Sequence, residues 1–420
     1  MHKSRMEAVD RRIMSLREEG VSLLADLVSK KSVLLNEKGA QEVVSGYLKR
    51  MGLAPQARDI DIKSISRHPA FAPVEWGYDD RPIVTASLPC GGSGKSLVLN
   101  GHIDVVPAEP LDRWETDPWE LCVRGGRAYG RGAFDMKGGF VSALLAIRAI
   151  LSEGLVPAGR VVFQSVIEEE CSGNGTLSCV INGPRPDAAL IFDTGPSTIG
   201  HVGVIWFRVT IAGAVAHAQS LDLDANCIEK ASVVIAALRK LESSMNSDPR
   251  PKEFESFDRP IKLNIGTIKS GNWPSASPDI CSIEFRLSCF PGTPIKVVHE
   301  RVRTAISDAC SADPWLRSNP PVVKFFGFHA EGSMVSPSSP IVLALQRAYQ
   351  AIASSPLPMS YGTGCNDCRY FNLYAHSDAV VYGPTGGNLH GPNEYVDLDS
   401  IMRTARVYAA VIGDWCGFKD

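Results

Sequence analysis

The sequence has no stretch that marks a membrane protein or an exported protein. None of its 420 residues lies in an apolar run long enough to span a bilayer. The opening residues, MHKSRMEAVDRRIM, are charged and amphipathic, and they lack both the apolar run and the small-residue cleavage site of a signal peptide. We therefore expect a cytoplasmic protein that has no membrane partner.

The chain also lacks a large net charge and a regular cysteine pattern. Its formal net charge of -3 gives no general attraction to nucleic acid, so no nucleic-acid partner is expected. The 11 cysteines are odd in number and scattered, and we expect reduced thiols rather than a disulfide framework. A chain of 420 residues is too long for one ordinary core, so two domains are expected.

Potential metal ligands follow several apolar strands. The stretch LVLNGHIDVVP, residues 97–107, reads as a strand that ends in His102 and Asp104. The same order recurs in three further stretches, RVVFQSVIEEE (160–170), DAALIFD (187–193) and DAVVYG (378–383), the last of which precedes a glycine-rich loop with His390. Each of these residues alone is more often structural than functional. If the strands are neighbours in one parallel sheet, their carboxyl ends meet at one crevice.

The acidic residues of this set suggest a cation. Asp135, in the stretch GRGAFDMKGG, precedes a strongly apolar helix and is either a helix cap or a ligand. Glu168, Glu169 and Glu170 are consecutive carboxylates that repel one another unless a cation is present. Histidine and carboxylate ligands without cysteine suit zinc, cobalt or manganese. Five such ligands are too many for one tetrahedral site that keeps an open position. They fit two ions about 3.5–4 Å apart.

The order of predicted elements changes near residue 200. From there to about residue 330 the pattern is strand, helix, strand, strand, helix, strand, which is the order of a ferredoxin-like plait. Afterwards the chain returns to alternating helix and strand. We therefore expect a catalytic domain formed by residues 1–200 and 331–420, with a plait domain of residues 201–330 inserted into it.

Two strand signals precede the first ligand. They lie at 83–88 and 96–101 and are joined by PCGGSGK. This joint lacks the first glycine of a phosphate-binding Walker pattern, because position 89 is proline. We predict a glycine-rich turn that joins the two strands as a hairpin.

The motifs GHIDVVP, GRGAFDMKGG, EEECSGNG and NLHGPNE together resemble those of a known family. It is the dinuclear metallohydrolase family of acetylornithine deacetylase, succinyl-diaminopimelate desuccinylase, aminoacylase and the glutamate carboxypeptidases. The motifs occur in the family's order over nearly the whole chain. The resemblance implies an α/β fold, with a zinc-peptidase-like catalytic domain whose mixed central sheet is flanked by helices. It also implies that the inserted α+β plait is a lid and dimerisation domain.

The resemblance further implies the roles of the metal-site residues. Glu169 would be the general base that takes a proton from a metal-bridging water, and Asp104 would hydrogen-bond His102. Two divalent ions, most often zinc but also cobalt or manganese, would be held by His102, Asp135 and Asp193 on one side and by Asp135, Glu170 and His390 on the other.

Residues for substrate binding follow from the same resemblance. His217 would donate to the oxyanion from the inserted domain, often across a homodimer, and Asn226 belongs to the same motif. From the sequence by itself, His217 reads as an ordinary surface histidine. Arg286 and Arg369 stand where the family grips a substrate carboxylate, although either could be a plain salt-bridge partner.

The function expected is hydrolysis of an amide bond in a small molecule. Our first hypothesis is a deacetylase, deformylase or desuccinylase type of enzyme acting on an N-acyl amino acid or related N-acyl amine. The alternative is a dipeptidase or carboxypeptidase, which Asp193 favours, since many deacetylases have glutamate there. A non-catalytic metal-binding homologue is the third hypothesis, and Glu169 argues against it because a binder has no need of a base.

Overall fold

The structure, a computed structural model, describes residues 2–195, 197–214, 217 and 225–419 of the chain. Within these ranges, no helix is both long enough and apolar enough to cross a membrane. A central mixed sheet flanked by helices carries one large core, and a smaller sheet carries a core of its own.

Helices occur along the whole described chain. They are α1 (His2–Ser15), α2 (Arg17–Val28), α3 (Lys38–Arg50), α4 (Ile62–Ile65), α5 (Gly138–Ser152), α6 (Asn174–Asn182), α7 (Cys227–Ser247), α8 (Ile295–Ala312), α9 (Pro314–Ser318), α10 (Pro340–Ala353), α11 (Cys368–Tyr370) and α12 (Leu398–Cys416). The apolar helix α5 is buried along nearly its whole length and packs against α12. Its Phe140 stands edge-on to Phe192, beside the sheet, with ring centroids 4.8 Å apart.

Strands lie between these helices, singly or in runs of two to four. They are β1 (Gln56–Arg58), β2 (Ile83–Ser87), β3 (Gly94–His102), β4 (Cys122–Arg124), β5 (Arg127–Tyr129), β6 (Gly159–Val166), β7 (Ala188–Ile191), β8 (Ser197–His201), β9 (Gly203–Ala212), β10 (Leu263–Ser270), β11 (Ile280–Cys289), β12 (Val322–Ala330), β13 (Ser333–Met334), β14 (Met359–Gly362), β15 (Asp378–Val381), β16 (Gly386–Gly387) and β17 (Tyr395–Asp397).

The strands that precede the predicted ligands are neighbours in the central sheet. The strand order is β1-β2-β6-β3-β7-β15-β8-β13, and β14 pairs with β8. β3 pairs in parallel with both β6 and β7, and β7 pairs in parallel with β15. The carboxyl ends of β6, β3, β7 and β15 therefore meet at one edge, which confirms the expectation from the sequence.

The predicted hairpin between β2 and β3 is wrong. β6 lies between these two strands, antiparallel to β2 and parallel to β3. The glycine-rich joint instead runs past the start of β6, where Gly91 donates its N–H to Pro157 O at 2.8 Å. Turn residues indicate a change of direction, but they do not say which strand becomes the neighbour.

The predicted ferredoxin-like plait is confirmed. β9, α7, β10, β11, α8 and β12 occur in this order, with the short α9 before β12, and the strands form an antiparallel sheet in the order β10-β11-β9-β12. Inward-facing residues of β9 and β11 alternate with partly exposed ones, and Phe207 stacks on Phe285 with ring centroids 5.0 Å apart. The plait thus has a core separate from that of the central sheet.

Candidate active site

The predicted ligands meet at the carboxyl edge of the central sheet. β3 ends at His102, while Glu170 and Asp193 lie shortly after the ends of β6 and β7. His390 lies in the loop between β16 and β17, which follow β15 in the chain. A cavity of about 860 Å³ opens at this edge, and its walls include Asp104, Asp135, Glu169, Glu170, Asp193 and His390.

Asp135 lies between two histidines. Its Oδ1 is 3.2 Å from His102 Nε2, and its Oδ2 is 3.1 Å from His390 Nε2. His390 Nε2 is also 3.0 Å from Glu170 Oε1. Ligand atoms of His102, Asp135 and Glu170 all lie within 4.8 Å of one another, a spacing that suits a metal ion. One carboxylate with an oxygen toward each histidine has the shape of a bridging ligand.

A tight, irregular turn presents Asp135 to the cavity. The helical turn Ala133–Lys137 has non-helical dihedral angles at Asp135, and Lys137 is the residue that precedes α5. Gly132 begins the turn with φ +76°, and a Cβ there would lie only 2.4 Å from the side chain of Val105. Asp135 is thus held in the turn before the helix, and it is not the helix cap.

Glu394 supports this turn, and the reasoning from sequence missed it. Its Oε1 accepts the backbone N–H groups of Phe134 and Asp135 at 2.9 and 3.0 Å. Its Oε2 accepts from Gly132 N at 3.0 Å and from Arg131 Nη1 at 2.6 Å. Arg131 Nη2 also donates to the carbonyl of His390 at 3.2 Å. The sequence signals for this pair were an acidic residue in the NLHGPNE motif and an arginine in the GRGAFDMKGG motif.

Charges within the cluster are strongly coupled. Burial opposes the ionisation of Asp135, but hydrogen bonds with His102 and His390 outweigh it and lower the pKa of the carboxyl. Burial likewise lowers the pKa of His390, while the charges of Glu170 and Asp135 raise it, with a net result of about 11. A metal ion binds the deprotonated imidazole, so an ion in this cluster would compete with protons for His102 and His390.

Asp193 lies in the same cavity wall but outside the cluster of His102, Asp135 and Glu170. Its Oδ1 accepts the backbone N–H of Thr194 at 2.5 Å. Burial, together with the negative charge of Asp135, raises the pKa of Asp193 to about 7. A nearby cation would favour its ionised form.

Asp104 has a different main contact from the one expected. His102 Nδ1 lies 2.9 Å from the main-chain carbonyl of Asp104 and 3.6 Å from its carboxylate. The two carboxylate oxygens instead accept the backbone N–H groups of Glu169 and Glu170, at 3.3 and 3.1 Å. Asp104 therefore ties the end of β3 to residues 168–173, which we call the acidic loop. This contact is possible because a carboxylate two residues beyond β3 reaches across to the end of the neighbouring strand β6.

Glu169 is a buried carboxylate at the cavity wall. It is 6% exposed, and its Oε1 has no hydrogen-bond partner among the described residues. Burial raises its pKa well above the ordinary value, although the neighbouring His102 opposes the shift. An unpaired buried carboxylate oxygen is costly unless a ligand or a proton satisfies it. This is the environment of a group that exchanges protons.

The sequence profile of Peptidase family M20/M25/M40 matches residues 98–414. The chain belongs to this family. The resemblance inferred from the motifs is thereby confirmed, and the protein is a hydrolase of the amidohydrolase or peptidase type. A curated relative of this M20 family chain is the N-formyl-4-amino-5-aminomethyl-2-methylpyrimidine deformylase of Bacillus subtilis (strain 168). The two are 27% identical over 441 residues, which cover 98% of each chain.

Solved M20-type structures share the fold. Human carnosine dipeptidase 1 superposes with a TM-score of 0.77 at 18% identity and covers 98% of this chain and 99% of its own. The YXEP protein of Bacillus subtilis, described as a dinuclear metal binding peptidase from the M20 family, has a TM-score of 0.61 at 15% identity. That match covers 95% of this chain and 98% of the YXEP chain.

The residues that were predicted to bind substrate lie in different environments in this chain. Arg286 lines the cavity, and burial lowers its pKa. Arg369 is 1% exposed, and its Nη atoms donate to Cys365 Sγ, to main-chain oxygens and to Tyr370. It also pairs with Asp367 at 3.6 Å, which is the salt-bridge alternative that the sequence left open. Asn226 caps α7 by accepting from Ile228 N. His217 is exposed and forms a backbone bridge with Ala276, between stretches outside the described residues.

Proposed function

We propose that this chain removes a small acyl group, such as formyl, from an N-acyl amine, with Glu169 as the general base. The observation that carries the proposal is the unpaired, buried carboxylate oxygen of Glu169 in the wall of the cavity that also contains the cluster of His102, Asp135 and Glu170. A base beside a cluster of potential metal ligands is the arrangement expected of a metal-assisted hydrolase.

The donor atoms fit two divalent ions. Imidazole nitrogens and carboxylate oxygens suit zinc, cobalt or manganese. Bound there, two such ions would supply Lewis acidity and lower the pKa of a water molecule between them. The ligands in this proposal are His102, Asp135 and Asp193 for one ion and Asp135, Glu170 and His390 for the other. The dinuclear centre attributed to the YXEP protein supports this assignment.

Proton transfer is the task of Glu169 in this proposal. It takes a proton from the water that adds to the acyl carbon, and it returns the proton to the amine nitrogen as the C–N bond breaks. Burial favours the protonated carboxyl that acts as the acid, while neighbouring cations would favour the carboxylate that acts as the base. Asp104 keeps the base in place through the backbone N–H of Glu169.

The cavity walls favour an amine with an apolar, planar body. Trp76, Trp206 and Phe328 line the cavity together with aliphatic side chains such as Val105 and Val106. Aromatic walls bind planar groups by stacking and edge contacts. The deformylase relative acts, by its name, on a formylaminopyrimidine, which agrees with such walls.

A dipeptidase is the second candidate. Asp193, in place of the glutamate of many deacetylases, favours it, and human carnosine dipeptidase 1 has the same fold. Arg286 in the cavity wall would then bind the carboxylate of the peptide.

The proposal also includes a homodimer that forms through the inserted plait, with His217 as the oxyanion donor. It further includes a cytoplasmic location.

A substrate screen tests the proposal. Protein loaded with zinc or cobalt is incubated with N-formyl, N-acetyl and N-succinyl derivatives of aromatic amines and amino acids, and with dipeptides. We expect release of formate or acetate from aromatic N-acyl amines at rates above those for dipeptides. Turnover of dipeptides alone would overturn the deacylase assignment in favour of the peptidase.

A further inference from the structure

Glu168, the first residue of the acidic loop, is held in a buried cage. It is inaccessible to solvent and has φ +71°. Its Oε1 accepts from Trp76 Nε1 at 2.5 Å and lies 2.7 Å from Arg81 Nη1. Its Oε2 accepts from Tyr78 at 2.8 Å and from Ser172 at 2.6 Å. These donors, among them Arg81, which also pairs with Glu37, occupy both carboxylate oxygens of Glu168. Of the three consecutive carboxylates, Glu169 and Glu170 are therefore left for the cavity.

Two of the donors come from one irregular stretch, residues 72–78, which we call the 72–78 segment. It is anchored in the catalytic domain by Asn174, which accepts from Ala72 N at 3.0 Å and donates to Ala72 O at 2.9 Å. Asn174 Nδ2 also lies 2.8 Å from the hydroxyl of Tyr78. The segment is therefore fixed on the side that faces the acidic loop.

The opposite side of the 72–78 segment contacts the inserted plait. Glu75 accepts from Arg208 on β9 at 3.0 and 3.2 Å, and it forms an ion pair with Lys324 on β12. Gly327 donates its N–H to Pro73 O at 2.7 Å. Gly327 has φ +60°, and a Cβ there would lie 2.7 Å from the ring of Trp206, so only glycine fits this contact.

The same segment forms part of the cavity wall. Trp76 lines the cavity together with Trp206 and Phe328 of the plait, whose rings meet edge to face with centroids 5.2 Å apart. One face of the segment thus meets the plait, another meets the cavity, and its Trp76 N–H reaches the acidic loop. The plait also meets the acidic loop directly, because a Cβ at Gly327 would lie 3.0 Å from the main-chain oxygen of Cys171.

We propose that the 72–78 segment couples the inserted plait to the acidic loop, and that Trp76 is a positioning residue for Glu169. The proposal rests on the role of Glu169 given under Proposed function. A plait seated on Glu75 and Pro73 holds Trp76 against Glu168. Glu168 directly precedes Glu169 in the chain. When Glu168 is held in place, the direction in which the side chain of Glu169 points is therefore held as well. Docking of the plait therefore orders the base.

The test uses two variants with matched controls in the full-length protein. Trp76→Phe removes the indole N–H and keeps a ring, and Trp415→Phe removes a comparable bond, from Trp415 Nε1 to Ser96 O at 3.0 Å, far from the segment. Glu75→Ala removes the contacts with the plait, and Glu300→Ala removes an exposed ion pair, with Arg303, inside the plait. Hydrogen exchange of residues 167–173, metal content, kcat and KM are measured for each.

We expect Trp76→Phe and Glu75→Ala to raise amide exchange at 167–173 about tenfold, while both controls leave it unchanged. In zinc-loaded protein, kcat should fall about tenfold for Trp76→Phe and less for Glu75→Ala, with metal content and KM preserved. Exchange in Glu75→Ala equal to that in Glu300→Ala would overturn the coupling. A wild-type protein without hydrolytic activity would instead reject the proposed function, and the exchange result would still decide the coupling.

Discussion

Asp135 donates its backbone N–H to the carboxylate of Glu394 at 3.0 Å, although 259 positions separate the two residues in the chain. Glu394 is buried and ion-paired with the equally buried Arg131. Through this contact the loop between β16 and β17 holds the turn before α5. The two loops that carry Asp135 and His390 therefore form one unit.

Glu394→Gln tests this unit. The substitution leaves Arg131 buried without a counter-charge, and we expect a loss of about 3–5 kcal/mol in the free energy of unfolding. Zinc affinity should also fall by about 10–100-fold, because a residue that orients a ligand is lost. Denaturant unfolding and metal titration measure the two effects. Glu115→Gln, which breaks an exposed pair with Arg124, is the control and should leave the free energy of unfolding almost unchanged. Equal losses in both variants would contradict the assignment.

The aromatic wall of the cavity predicts an effect on substrate binding. Trp206→Ala should raise KM for an aromatic N-acyl amine about tenfold and change kcat little, because stacking is lost in the ground state and the transition state alike. Trp273→Ala, at a position that is 69% exposed, is the control and should leave KM unchanged. Steady-state kinetics on a series of aromatic and aliphatic amides provide the measurement. A loss that is equal for both kinds of amide would speak against stacking.

The inserted plait should be sensitive to acid through His299. This ring stacks on Phe325 with centroids 3.6 Å apart, and burial, with the nearby His329 and Arg303, lowers its pKa to about 3. The unfolded chain binds a proton near pH 6.5 and the folded chain does not, so stability falls as the pH drops below about 6.5. The slope attributable to this group is at most about 1.4 kcal/mol per pH unit.

His299→Leu should flatten this dependence. We expect the free energy of unfolding of the variant to change less between about pH 6.5 and about pH 4.5 than that of the wild type. Urea unfolding at a series of pH values measures it. His376→Asn, at an exposed position, serves as the control. If both variants retain the wild-type slope, another group causes the acid sensitivity.

Local patterns were sufficient to predict the strand ends and the plait. The proposed ligands His102, Glu170 and Asp193 lie at or just after the ends of apolar strands, and the parallel pairing of those strands brings them together. The hairpin between β2 and β3 was wrong because the choice of neighbour depends on β6, which lies about 70 residues further along the chain.

Partners from distant parts of the chain explain what the sequence did not reveal. The carboxylates of Glu168, Glu169 and Glu170 look alike in sequence, yet the oxygens of Glu168 accept from Trp76 and Tyr78 and pair with Arg81, all of which lie about 90 positions earlier. Glu394 gains its role only when two glycine-rich loops pack together. Such roles depend on which residues meet in space, and no local periodicity encodes that.

The central claim is that Glu169 is the base beside a two-metal site. Glu169→Gln keeps the size of the side chain and removes its ability to take a proton. In protein loaded with zinc, we predict about two ions per chain, as in the wild type, together with a kcat for N-acyl amine hydrolysis at least about 100-fold lower. A variant that keeps both its metal and its wild-type kcat would contradict the account.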